Sequence, residues 1–123
     1  MKRDEPRAYR GLKSRHREYL RAVEALGTAA RRAGPLDEKV TQLVQLSAAA
    51  AIRSEGAVHS HTRRALDVGA SPDEIHHALI AITSTIGFPT ARAALSWADD
   101  IIGGRGGKTA SRSRRKANAS RSA

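Results

Sequence analysis

Residues 54–79 read Ser54-Glu-Gly-Ala-Val-His-Ser-His61-Thr-Arg-Arg-Ala-Leu-Asp-Val-Gly69-Ala-Ser71-Pro-Asp-Glu74-Ile-His-His-Ala-Leu79. Val58, His61, Ala65 and Val68 recur at steps of three, four and three, which gathers them on one face of a helix. Ser54 stands before that helix as a cap residue, and Gly69 closes it as a C-cap residue. Ser71 then takes the next N-cap, Pro72 the first helical position and Glu74 the third, a capping box that opens another helix. Two capped helices meet across a short turn, and no segment shows convincing strand alternation. The fold class is all-α.

Working outward, a first helix is expected from about Pro6 to Ala33. Its apolar residues Tyr9, Leu12, Tyr19, Leu20, Val23 and Leu26 are loosely spaced at helical intervals, and Gly34-Pro35 ends it. A second starts near Asp37, with Leu36, Val40, Leu43, Val44, Ser47, Ala50 and Ala51 in one stripe. The helix opened by Ser71 is expected to run through Ile75, Leu79, Ile82 and Ile86 to Gly87. A last one follows Pro89, with Ala91, Ala94, Leu95, Ala98 and Ile101 inward, and Gly103-Gly104 stops it. The expected architecture is a compact bundle of about five helices with Ala-rich, closely packed interfaces. Residues 1–34 are a basic N-terminal helix packing on the core, 35–103 the helical core, and 104–123 a disordered basic tail. So small a core, poor in aromatics, favours burying more apolar surface between subunits, so a homo-oligomer is expected.

The 123-residue chain carries a formal net charge of +10, which on its face suggests a nucleic-acid partner. The charge is uneven: +6 over residues 1–34, −3 over 35–102 and +7 over 103–123. The last block has no large apolar side chain to offset the entropy of ordering, and no aromatic on which bases stack. It reads as a solvated tail or as an electrostatic arm for nucleic acid or another acidic partner. The absence of cysteine removes disulfides, thiolate nucleophiles and Cys-ligated metals. No apolar run approaches the ~20 residues of a membrane span. The first residues lack the apolar stretch of a signal peptide. No membrane partner and a cytoplasmic location are expected.

The segments Gly34–Leu46, Glu55–Leu66, Gly69–Ile75 and Ile86–Pro89 together resemble the carboxymuconolactone decarboxylase family, which includes the alkylhydroperoxidase D-like proteins. The resemblance covers roughly residues 20–102. It implies an all-α bundle assembled as a trimer or hexamer, with sites near subunit contacts. The redox branch of that family carries Cys-x-x-Cys-x-x-x-His and a relay glutamate on the preceding helix. Counted back from His61, those cysteine positions fall on Ser54 and Ala57, and the glutamate position on Gln42. Serine neither forms a disulfide nor ionises near neutral pH, so thiol peroxidase activity is not expected. The decarboxylase branch also lacks the cysteine pair and keeps the histidine. Its likeness implies acid–base chemistry on a small carboxylic acid or lactone, with no cofactor. His61 would be proton donor or acceptor, and Glu55 would orient it.

Each residue also has a plainer reading. His61 is equally a core histidine hydrogen-bonded to a neighbouring helix. Glu55 and His59, four apart, suit a solvated surface pair. Gln42 is either a pocket-lining group or a bond between helices. His59 and Phe88 are candidate substrate contacts, although Phe88 and Trp97 would ordinarily complete a core. Arg63, Arg64 and Arg92 would anchor a carboxylate only beside a pocket. His59, His61, His76 and His77 raise a metal question, but His59 and His61 point ~200° apart on one helix. No HExxH signature occurs, and no metal site is expected. The alternative to a small-molecule reaction is a nucleic-acid-associated or scaffold oligomer that uses the two basic ends.

Overall fold

The computed structural model describes the backbone of residues 6–121 and the side chains of residues 6–104. Every regular element among the described residues is helical. Residues 1–36 form one compact unit and residues 37–123 another.

The first unit holds α1 (Arg7–Arg15) and α2 (Arg17–Arg32). The one long helix expected here is interrupted at His16, whose φ of −133° and ψ of 57° lie outside the helical region. No glycine or proline marks the break. It brings α1 against α2, where the Tyr9 hydroxyl donates to the Glu24 carboxylate across 2.5 Å. Leu20 is buried, whereas Tyr19, Val23 and Leu26 are exposed. A shallow cavity of about 280 Å³ in this unit is lined by Lys13, Arg17, Leu20, Arg21 and Glu24.

The second unit opens with α3 (Glu38–Ala51), then α4 (Glu55–Asp67) and α5 (Pro72–Ile80), each started by a side-chain cap. Asp37 accepts from Val40 N, Ser54 from Ala57 N, and Ser71 from Glu74 N, while the Glu74 carboxylate accepts the Ser71 amide in return. Each cap satisfies an amide that the first helical turn leaves without a partner. Gly69 ends α4 at a φ of 94°. Its amide reaches Leu66 O at 3.1 Å and the Ala70 amide reaches Ala65 O at 2.9 Å, a Schellman ending.

After α5 the structure departs from the expected run to Gly87. The helix stops at Ile80, and a short α6 (Thr83–Ile86) follows. The Thr83 hydroxyl donates to Ile80 O at 2.7 Å, so a side chain satisfies a carbonyl at the end of α5. Then α7 (Phe88–Arg121) begins after Gly87, whose φ is 86°. The backbone of α7 continues past Gly103 and Gly104, where a stop is expected. Glycine inside a helix costs about 1 kcal/mol relative to alanine, which does not forbid continuation. The side chains of the expected tail from residue 105 onward lie outside the described residues.

The core of this unit is built from Leu46, Ala49 and Ala50 of α3, Val58 and Ala65 of α4, Ile75 and Leu79 of α5, and Ala94 and Ala98 of α7. The alanines let the backbones of α3, α4 and α7 approach closely, and the few large side chains fill what remains. Trp97 packs against this cluster, as a core reading expects. Phe88 does not: it is 65% exposed at the first turn of α7.

Candidate functional site

His61 sits in the second turn of α4 and is half-buried. Its Nδ1 lies 3.1 Å from Oε1 of Gln42, a residue of α3 that is only 3% exposed. An amide oxygen accepts and never donates, so this contact places a proton on Nδ1. In the neutral ring, Nε2 then carries the lone pair. Gln42 is thus buried and bonded between α3 and α4.

The positions flanking this pair are structural. Ser54 is the N-cap of α4, and its hydroxyl accepts from the amide of Ala57 at 3.3 Å. The two places where a redox pair of cysteines would stand are therefore joined here by a cap. The preceding residue, Arg53, holds a positive φ of 57°, and its Nη2 donates to the Thr90 hydroxyl at 2.8 Å. That bond ties the α3–α4 turn to the start of α7. Among the described residues, two buried polar atoms, Gln45 Oε1 and Thr62 Oγ1, have no hydrogen-bond partner. One lies a turn beyond Gln42 on α3 and the other beside His61 in sequence on α4.

Glu55 lies in the first turn of α4, six residues before His61, which turns it about 120° away around the axis. It is gathered instead with His59 and with Asp100 of α7. One ligand atom from each of the three lies within 4.8 Å of the others. His59 Nε2 is 3.2 Å from Asp100 Oδ2. The Glu55–His59 pairing is the one their spacing suggests. Asp100 is the residue that sequence reasoning passes over, because it lies 41 positions away on another helix. Its neighbour Asp99 accepts from His76 Nε2 at 2.6 Å.

A further ion pair joins the starts of two helices. Lys39 Nζ of α3 lies 2.8 Å from Glu74 Oε2 of α5. The Lys39 hydrogen bond, with the Ser71 amide, holds the Glu74 carboxyl below the ordinary carboxylate range. The same bond raises Lys39 above the ordinary lysine value. Both groups are well solvated, so the pair contributes little to stability by itself.

Arg63 and Arg64 are half-buried on α4, and Arg92 is exposed on α7. Among the described residues, no helix is long and apolar enough to cross a membrane.

The sequence profile of the carboxymuconolactone decarboxylase family matches residues 17–100. No curated protein is significantly similar to the chain. Among solved structures, the apo form of a carboxymuconolactone decarboxylase family protein from Legionella pneumophila superposes with a TM-score of 0.67. At 22% identity it covers 76% of this chain and 87% of its own, a likeness of fold.

Proposed function

Because the chain belongs to the carboxymuconolactone decarboxylase family, we propose that His61 carries out cysteine-independent proton transfer on a small carboxylic acid or lactone. The observation that supports this reading is the 3.1 Å contact between His61 Nδ1 and Gln42 Oε1. A histidine whose tautomer is fixed at one nitrogen presents the other as a defined base or, once protonated, as an acid near neutral pH. Gln42 orients the ring but has no proton to relay.

In a decarboxylation, the bond between the carboxylate carbon and the ring carbon breaks and its electron pair becomes a dienolate. CO₂ leaves, and Nε2–H of the His61 imidazolium delivers a proton to carbon. The unmatched polar atoms of Gln45 on α3 and Thr62 on α4 offer a buried water its bonds. Phe88 remains a candidate substrate contact, whereas His59 leaves α4 about 200° from His61 and is set apart from this reaction. Glu55 drops out as the orienting group in favour of Gln42.

The exposed apolar residues Val44, Ile52, Ile80 and Phe88 support a homo-oligomer, in which a second copy covers them. A trimer or hexamer fits the family likeness.

The test is turnover of a panel of small lactone carboxylic acids, followed by CO₂ release. His61→Ala should lower the rate about 10²–10⁴-fold. Equal turnover by wild type and variant would overturn the reading.

The second reading, binding of nucleic acid or another polyanion, draws on the grouping of Lys13, Arg17 and Arg21 around one cavity of the first unit. It predicts an affinity that falls steeply with salt and is lost on deleting residues 104–123.

A further inference from the structure

We propose that Glu55, His59 and Asp100 form a surface site for a divalent first-row transition ion of the zinc class. This surface plays no part in the proton transfer assigned to His61, and the inference stands independently of that reading.

The geometry is the first argument. Glu55 and His59 are four residues apart on α4 and so stand one above the other on a single helix face. Asp100 reaches them from α7, and the three ligand atoms all lie within 4.8 Å of one another. An ion bound at about 2.0–2.2 Å from each donor separates its ligands by roughly 3–4 Å. Small rotations of three side chains, two of them exposed, close that gap. In the present contact His59 Nε2 bonds to Asp100 Oδ2 at 3.2 Å, and an ion would take the place of the proton shared between them.

The donor set is the second argument. Two carboxylates balance the charge of a dication, and the imidazole nitrogen selects against magnesium and calcium, which take oxygen ligands. The absence of thiolate or thioether donors selects against monovalent copper. With Nε2 as the ligand, Nδ1 of His59 carries the ring proton. Three protein donors leave at least one position open, and the exposure of Asp100, 57% for its side chain, lets water fill it.

Separation from the family's histidine position is the third. His59 and His61 are two residues apart, so their side chains leave α4 about 200° from each other. An ion on the Glu55–His59–Asp100 face therefore leaves the Gln42–His61 contact untouched, while cross-linking α4 to α7.

The experiment uses the full chain without a polyhistidine tag. Isothermal titration with Zn²⁺, and with Co²⁺ followed by visible absorption, should give saturable binding of one ion per chain, with Mg²⁺ failing to compete. Binding should raise the melting temperature, because the ion stabilises only the folded state. His59→Ala and the near-isosteric Asp100→Asn should each weaken binding by more than the ~10–100-fold that loss of an outer-shell partner brings. His76→Ala, His77→Ala and His61→Ala should leave it unchanged. If His59→Ala does not fold, Asp100→Asn carries the test. The proposal is overturned by the absence of saturable Zn²⁺ binding. It is equally overturned by binding that survives in Asp100→Asn, or by binding lost in the His76 or His77 variant.

Discussion

Oε1 of Gln42 on α3 faces Nδ1 of His61 on α4 across 3.1 Å, so a side chain with no ionisable proton stands against the histidine where the redox relatives place a carboxylate. The difference is chemical. A glutamate there would exchange protons with the ring, whereas the amide oxygen only accepts and fixes which nitrogen carries the proton. Gln42→Leu keeps the bulk and removes the acceptor. Nitrogen-15 spectra of the imidazole should show the Nδ1–H tautomer in the wild type at high pH and a tautomer mixture in the variant. An identical spectrum in both would refute the pairing.

Ser54 and Ala57, on which the family likeness places the two cysteines of the redox branch, share a cap hydrogen bond. Purified protein given an organic hydroperoxide and a dithiol reductant should consume neither above the rate in buffer. Peroxide consumption that depends on the protein would contradict this.

Glu74 titrates below the ordinary carboxylate value of 4.5 because Lys39 and the Ser71 amide hold its charged form. A carboxyl depressed in the folded state adds stability above its unfolded value and loses it as pH falls through the folded one. Lys39 is raised above 10.5, so its share is present below that value and lost at higher pH. Glu74→Gln retains a residue able to complete the capping box but removes the ion pair. The difference in urea-melting midpoint between wild type and Glu74→Gln should be widest between these limits and shrink at both ends. A difference that stays constant from pH 3 to pH 7 would argue against the assignment.

Nothing lies within 4 Å of a Cβ built on Gly69, whose φ is 94°. Gly69→Ala therefore tests backbone conformation alone, and should destabilise by about 1–2 kcal/mol in chemical denaturation. Ser71→Ala, which removes one arm of the capping box, should cost about 1 kcal/mol. If Gly69→Ala is neutral, the left-handed ending of α4 is wrong.

Ala94 is fully buried where α7 meets the other helices of its unit. Ala94→Leu overfills that seam and should destabilise by about 1–3 kcal/mol. A variant as stable as wild type would mean that the helices are not closely packed there.

What the sequence made legible was local. Ser54, Gly69 and Ser71 act through hydrogen bonds to residues two to four positions away, and each boundary they mark stands where they place it. The breaks at His16 and after Ile80 lack glycine and proline. The first accompanies the Tyr9–Glu24 contact, fifteen residues apart, and the second a threonine that bonds backwards to a carbonyl. Periodicity cannot anticipate either, since the apolar spacing of Ile75, Leu79, Ile82 and Ile86 remains helical across the interruption. The same divide holds for the chemistry. Gln42 and His61 were separately visible as candidates, but their contact depends on how α3 meets α4. Asp100 carried no signal, because what matters about it is which helix α7 faces. Phe88, by its size a core residue, is exposed because it falls on the first turn of α7.

Asp99 and Asp100 are consecutive on α7, yet one holds His76 of α5 and the other His59 of α4. Neighbouring residues leave a helix 100° apart, so the two bridges grip the same rod from different sides. Ala91, Ala94 and Ala98 give α7 a stripe of small buried side chains, beside the larger Leu95, Trp97 and Ile102 packed on the same core, and any roll or slide of the helix would shift them together. Any such slip would break both bridges at once. The paired aspartates therefore act as a key in a shaft: they fix the angle at which α7 is seated, a task that small side chains, alike all along their stripe, are poorly shaped to perform.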